Sequence, residues 1–129
     1  MRLRCFGSDE KGATAIEFAL ILFPMLLLFL GTFEFARALQ TNNNLSYAAG
    51  LASRAILTDN AITEDALSAK IRNAFVGGDP DRLTIAYASE VSGGVTFREM
   101  TLSYPFDFVI SAVSSKPITL SVTRRVPTE

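Results

Sequence analysis

The sequence predicts an α+β protein. A long N-terminal transmembrane helix continues into an amphipathic helix, which packs against a small antiparallel sheet of about three strands. Three observations predict it. Residues 13–33 are predominantly apolar, with one acid as their only charge. Apolar positions at Leu45, Ala48, Ala49, Ala52, Ala55 and Ile56 recur at spacings of three and four. Beyond Asp81 the apolar period changes to two, the signature of strands.

The apolar run reads ATAIEFALILFPMLLLFLGTF, 21 residues with Glu17 as its only charge. As a helix it covers roughly 30 Å, one bilayer hydrocarbon core. Twelve of its positions from 16 to 33 are Leu, Ile or Phe. Together they favour insertion by about 4 to 7 kcal/mol, against a cost of about 2.5 to 3.5 for an acid at mid-bilayer. Glu17 sits near the start of the run, where its cost is smaller, so insertion wins. Arg2, Arg4 and Lys11 precede the run and only Arg37 follows closely. The positive-inside rule therefore keeps the N-terminus in the cytoplasm and sends the chain after Phe33 across the membrane. The rival is a cleaved secretory signal, since Ala36-Arg37-Ala38 has an A-x-A shape; the long apolar run and the charges around that site speak against it. Pro24 removes one backbone hydrogen bond inside the run, a defect that membrane helices tolerate.

After Glu34 the chain stays helix-forming and presents a narrow small-residue face. Asn42, Asn43 and Asn44 are poor helix formers, yet neither Gly nor Pro stops the helix there. One helix is expected over residues 13–57, loosened at the Asn run and broken at Thr58-Asp59-Asn60. Thr63 is positioned to cap a second helix, with Glu64 and Asp65 in its first turn, ending before Gly77-Gly78. Strands are expected over 83–91 and 95–104, joined by a hairpin turn at Gly93-Gly94. Apolar parity slips between Phe97 and Met100, which predicts a β-bulge at Arg98-Glu99. Residues 105–110 read as an apolar loop, and 118–126 as a third strand with Ile118, Leu120 and Val122 on one side.

Composition narrows the function classes. The chain has 129 residues and a net charge of −1, which gives no reason to expect nucleic acid as a partner. It has no His, and its one cysteine, Cys5, precedes the apolar run, so metal clusters and nucleophilic catalysis lack their usual groups. Cys5 reads as a reduced thiol on the cytoplasmic side. Asp79 and Asp81 lack the spacing of a calcium loop and read as turn residues. No phosphate-cradling glycine loop is present. The chain is expected to be a non-enzyme with no cofactor, no metal and no small-molecule substrate.

The residues around the start of the run carry a resemblance. Lys11-Gly12 is followed by Ala13-Thr14-Ala15-Ile16-Glu17-Phe18, so an acid falls five residues after a glycine and precedes an aromatic. This is similar to a type IV prepilin processing site. With Ala19-Leu20, Pro24, Gly31 and Glu34-Phe35-Ala36-Arg37, the stretch resembles the TadE-like minor pseudopilins of tight-adherence (Flp) pili. Ser53-Arg54 at the end of an Ala-rich helix and Tyr104-Pro105-Phe106 between two strands agree with the C-terminal region of that family.

The resemblance implies a pilin-like fold divided into a cytoplasmic leader over 1–12, a membrane helix over 13–33 and a periplasmic or extracellular domain over 34–129. It implies a single-pass protein of the bacterial inner membrane, cut by a prepilin peptidase between Gly12 and Ala13. Other pilins and the pilus assembly platform would be its partners. Glycine at the cut admits the backbone to a tight cleft. Cleavage frees the amine of Ala13, mostly positive at pH 7, one helical turn from Glu17. In such assemblies the acid pairs with the amine of a neighbouring subunit. The alternatives are that Glu17 is an interfacial acid and that the chain is an unprocessed single-pass protein with an outward-facing binding domain.

Overall fold

The apolar runs and turn signals become two helices, a short 3-10 turn and three strands. The computed structural model describes residues 10–110 and 116–128; Arg2, Arg4 and Cys5, on which part of the leader reading rests, lie outside them. Helix α1 is Glu10–Thr58 and α2 is Glu64–Ala74. A 3-10 turn, Pro80–Arg82, leads into β1 (Thr84–Ser92), β2 (Val95–Phe106) and β3 (Ile118–Thr128). The strands form an antiparallel meander with β2 in the centre. An α+β fold with a long apolar N-terminal helix is thus what the chain adopts. Contacts divide it into two units, Met1–Phe33 and Glu34–Glu129.

The first unit is described by one segment of α1. Helix α1 begins three residues earlier than expected, because a single glycine at position 12 costs only about 1 kcal/mol and stops nothing. Pro24 stays inside it without ending it. Its large side chains face outward: Phe18 is 63% and Leu28 73% exposed, so this segment has no core of its own. Among the described residues α1 is the one helix long and apolar enough to cross a membrane. That fits a single-pass membrane protein.

The second unit has the core. Leu45, Ala48, Ala49, Ala52 and Ile56 of α1 are buried, and Ala55 packs partly against them. They meet Leu67, Ile71 and Phe75 from the α2 segment, Leu83, then Met100, Leu102 and Tyr104 of β2 and Val126 of β3. Alanines at 48, 49 and 52 keep this face of α1 flat, so larger residues on the other elements fill the space. The Asn run does not loosen the helix. Asn44 donates to the carbonyl of Val76 and so ties α1 to the segment after α2. Thr63 caps α2 as expected, its hydroxyl accepting from the amide of Ala66 at 3.3 Å.

Two strand expectations need correction. No bulge interrupts β2: residues 95–103 pair one for one with β1, and 96–106 with β3. The parity slip arises because both faces of β2 carry apolar residues. Met100, Leu102, Tyr104 and Phe106 face the core, whereas Phe97 lies on the other face beneath the Arg125 guanidinium, 4.2 Å away. Arg98 shares the core-side parity and reaches the carbonyl of Ile62 at 3.1 Å. Pro105 and Phe106 also belong to β2 and not to a loop. Beyond Ser103 only β3 flanks the strand, and proline is tolerated in such a position.

Two turns explain the glycine pairs. Gly93 and Gly94 have φ of 62° and 81°, as a two-residue hairpin loop matching the strand twist requires. Gly78 lies against the hydroxyl of Tyr104, which accepts from the Asp79 amide at 3.2 Å, and a methyl group there would overlap that oxygen. Tyr104 is buried and packs against Phe75 with the rings tilted and their centres 5.1 Å apart, so it has little room to yield. Gly78→Ala is therefore expected to cost about 1 to 3 kcal/mol, as overpacked sites do. Gly50→Ala, inside α1 with nothing within 4 Å of the added carbon, should be neutral or stabilising. Urea denaturation of the detergent-solubilised chain checks both; an unchanged midpoint for Gly78→Ala would contradict the packing described.

Candidate functional site

Two groups of residues carry chemistry. The first is the stretch singled out by sequence. Gly12, Ala13, Glu17 and Phe18 all lie on α1 and all are exposed. Ala13 and Glu17 are four residues apart, hence on one face and about 6 Å apart along the axis. A side chain at Gly12 would meet nothing within 4 Å among the described residues, so packing does not call for glycine there. Among the described residues Glu17 has no hydrogen-bond or ion-pair partner. The stretch is thus an open helical surface.

The second group centres on Glu34, which in the sequence stands out only as part of the Glu34-Phe35-Ala36-Arg37 stretch. It is the first residue of the second unit, and it is 1% exposed. One carboxylate oxygen accepts from the amide of Val109 at 3.0 Å and of Ile110 at 3.3 Å. The other accepts from the Arg37 guanidinium at 2.6 Å, one helical turn on. Three donors satisfy the charge, which is what allows a carboxylate to be buried. Arg37 also lies 5.0 Å above the ring of Phe106, and Phe108 meets that ring edge-on at 5.5 Å. Sequence could have flagged Glu34 only as an acid directly after an apolar run. Its partners are backbone amides 75 and 76 positions away, which no residue type announces.

The acids at 79 and 81 do structural work. Asp79 caps the 3-10 turn by accepting from the amide of Asp81 at 3.0 Å. Next to them Arg82 pairs with Asp107 at 2.6 Å, and that carboxylate raises the guanidinium above its ordinary pKa, with burial acting against it.

Residues 12–54 match the family model described as TadE-like protein. The match starts at Gly12, takes in Glu17, Phe18, Glu34 and Arg37, and ends at Arg54, one third of the chain. The resemblance drawn from 12–37 therefore holds and extends along the Ala-rich helix. Tyr104-Pro105-Phe106 lies outside the matched stretch. Comparison with curated proteins and with solved structures gave no match.

Glu34→Ala leaves two amides and a guanidinium without their acceptor. Losing hydrogen bonds to a charged group of this kind is expected to cost about 2 to 3 kcal/mol, and less for Glu34→Gln, whose amide oxygen still accepts. Denaturation midpoints of the two variants in detergent test the order; equal midpoints with wild type would show that the carboxylate is not a fastening point.

Proposed function

We propose that this chain is a minor pseudopilin of a tight-adherence (Flp) pilus, processed by a prepilin peptidase between Gly12 and Ala13. The observation that carries the reading is the TadE-like match, which begins at Gly12 and includes Glu17 at the fifth position after it. On this reading 1–12 is a cytoplasmic leader, 13–33 the span of a bacterial inner-membrane protein, and 34–129 a periplasmic or extracellular domain. The protein performs no catalysis and binds no cofactor. Its partners are the peptidase, other pilins and pseudopilins, and the assembly platform. The Gly12–Ala13 bond lies in the first turn of α1, where helices fray most easily, so its exposure to a protease costs little.

Gly12→Val is expected to block maturation, because the peptidase cleft must admit the backbone where the side chain is missing. The change puts no strain on the described fold, whose space at this position is open. Gel mobility in cells carrying the peptidase should show only the full-length form. Normal trimming of Gly12→Val would remove the processing assignment.

Glu17 distinguishes pairing from a plain interfacial acid. With pairing, Glu17→Ala leaves a neighbour's Ala13 amine buried without its counter-charge, a loss on the order of 3 to 5 kcal/mol. Crosslinking of processed Glu17→Ala to other pilus subunits, and piliation of cells with it as their only copy, should then both fail while cleavage continues. Wild-type crosslinking and piliation would make Glu17 an ordinary interfacial residue.

A further inference from the structure

Glu34 follows Phe33 directly in the chain. The carboxylate therefore lies at the end of the apolar run however the two units are arranged. Whatever hydrogen-bonds to it shares that level. Val109 and Ile110 do, through their amides, at 3.0 and 3.3 Å. Their side chains belong to the segment Asp107-Phe108-Val109-Ile110, apolar after its first residue. Val109 is 74% exposed, with Phe108 and Ile110 half-buried. On α1, Phe33 and Phe35 flank Glu34 and are 62% and 64% exposed.

We propose that residues 108–110 form a second membrane contact, an apolar wedge resting in the headgroup boundary of the bilayer that α1 crosses, with Glu34 setting its position. The proposal rests on the membrane-spanning reading of α1 and adds a lipid-binding role for a part of the second unit. Three features fit lipid as the occupant. The wedge is hydrogen-bonded to Glu34, the residue that directly follows the span in the chain. The acid that precedes it, Asp107, is paired with Arg82 at 2.6 Å. Irregular backbone is costly in an apolar medium because its amides lack partners. Here the amides of Val109 and Ile110 are both taken by Glu34. The segment is rooted in the protein through Phe108, whose ring packs edge-on against buried Phe106. Arg37, partly exposed above Phe106, is placed to meet a lipid phosphate.

The chain contains no tryptophan, so single Trp substitutions report depth without background. Full-length Val109→Trp, Phe23→Trp and Val91→Trp are reconstituted into phosphatidylethanolamine and phosphatidylglycerol vesicles containing brominated phosphatidylcholine. Phe23 marks the span. Val91 is 70% exposed near the hairpin tip and pairs with Thr96, about 33 Å along β2 from Phe106 at about 3.3 Å per residue. Emission from Val109→Trp should fall by about half or more, with bromines near the glycerol the most effective, as for a ring about 5–10 Å into the interface. Val91→Trp should keep its emission. Adding Glu34→Ala to Val109→Trp should at least halve the quenching, and undiminished quenching would overturn the role given to Glu34. Unquenched Val109→Trp beside quenched Phe23→Trp overturns the wedge and leaves the span standing. Equal quenching of Val91→Trp overturns it as well. If Phe23→Trp is not quenched, the spanning reading fails and the wedge goes with it.

Discussion

The second unit depends on how closely the sheet approaches α1. Ala48, Ala49 and Ala52 present almost no side-chain volume, so the larger residues of β2 and the α2 segment supply the bulk of the core. Each fully buried Leu, Ile or Met contributes about 1.5 to 3 kcal/mol. Close packing then makes the surrounding turns specific. Asn44 against the segment before Gly77, and Gly78 against Tyr104, exist because the chain after α2 must pass between helix and sheet.

One helix serves two solvents. Up to Phe33 its exposed side chains are mostly large and apolar, with Glu17 near the start, which fits a membrane span. From Leu45 onward it buries one face only. Between these regimes stand Glu34 and Arg37, a charged pair that would be costly in an apolar medium. Glu34 escapes the cost because a distant loop brings its amides to it, so the change of environment is marked by a hydrogen-bonded fixture.

Much of this was legible in the sequence, for physical reasons that differ from residue to residue. The span could be read because insertion is a sum over side chains. The helix face at 45–56 and the Gly93-Gly94 turn could be read because period and positive φ are local properties. The bulge expected at Arg98-Glu99 is absent because apolarity in β2 does not mark the core face alone. Phe97 is apolar on the outer face, and its cover, Arg125, comes from a strand whose pairing is not written in β2 itself. The limits of β2 were short by two residues because proline suggests a loop unless one flank of the strand is open. At the candidate site, Gly12, Ala13, Glu17 and Phe18 stand out through their resemblance to a prepilin processing site, which is carried by residues adjacent in the chain. The network around Glu34 was hidden because its donors are backbone groups from the far end of the fold.

The alanine face also bears on the order in which the domain forms. The core of the second unit is completed by Val126 on β3, whereas its first residue, Leu45, lies in α1 far earlier in the chain. A helix already formed must wait, uncovered, until the meander has assembled strand by strand. A leucine-rich face would be adhesive throughout that interval, exposing apolar area to other unfinished chains. Alanine offers far less such area and keeps the highest helix propensity of any residue. The same choice that lets the sheet come close in the finished domain thus lowers the hazard of aggregation while the domain is still incomplete.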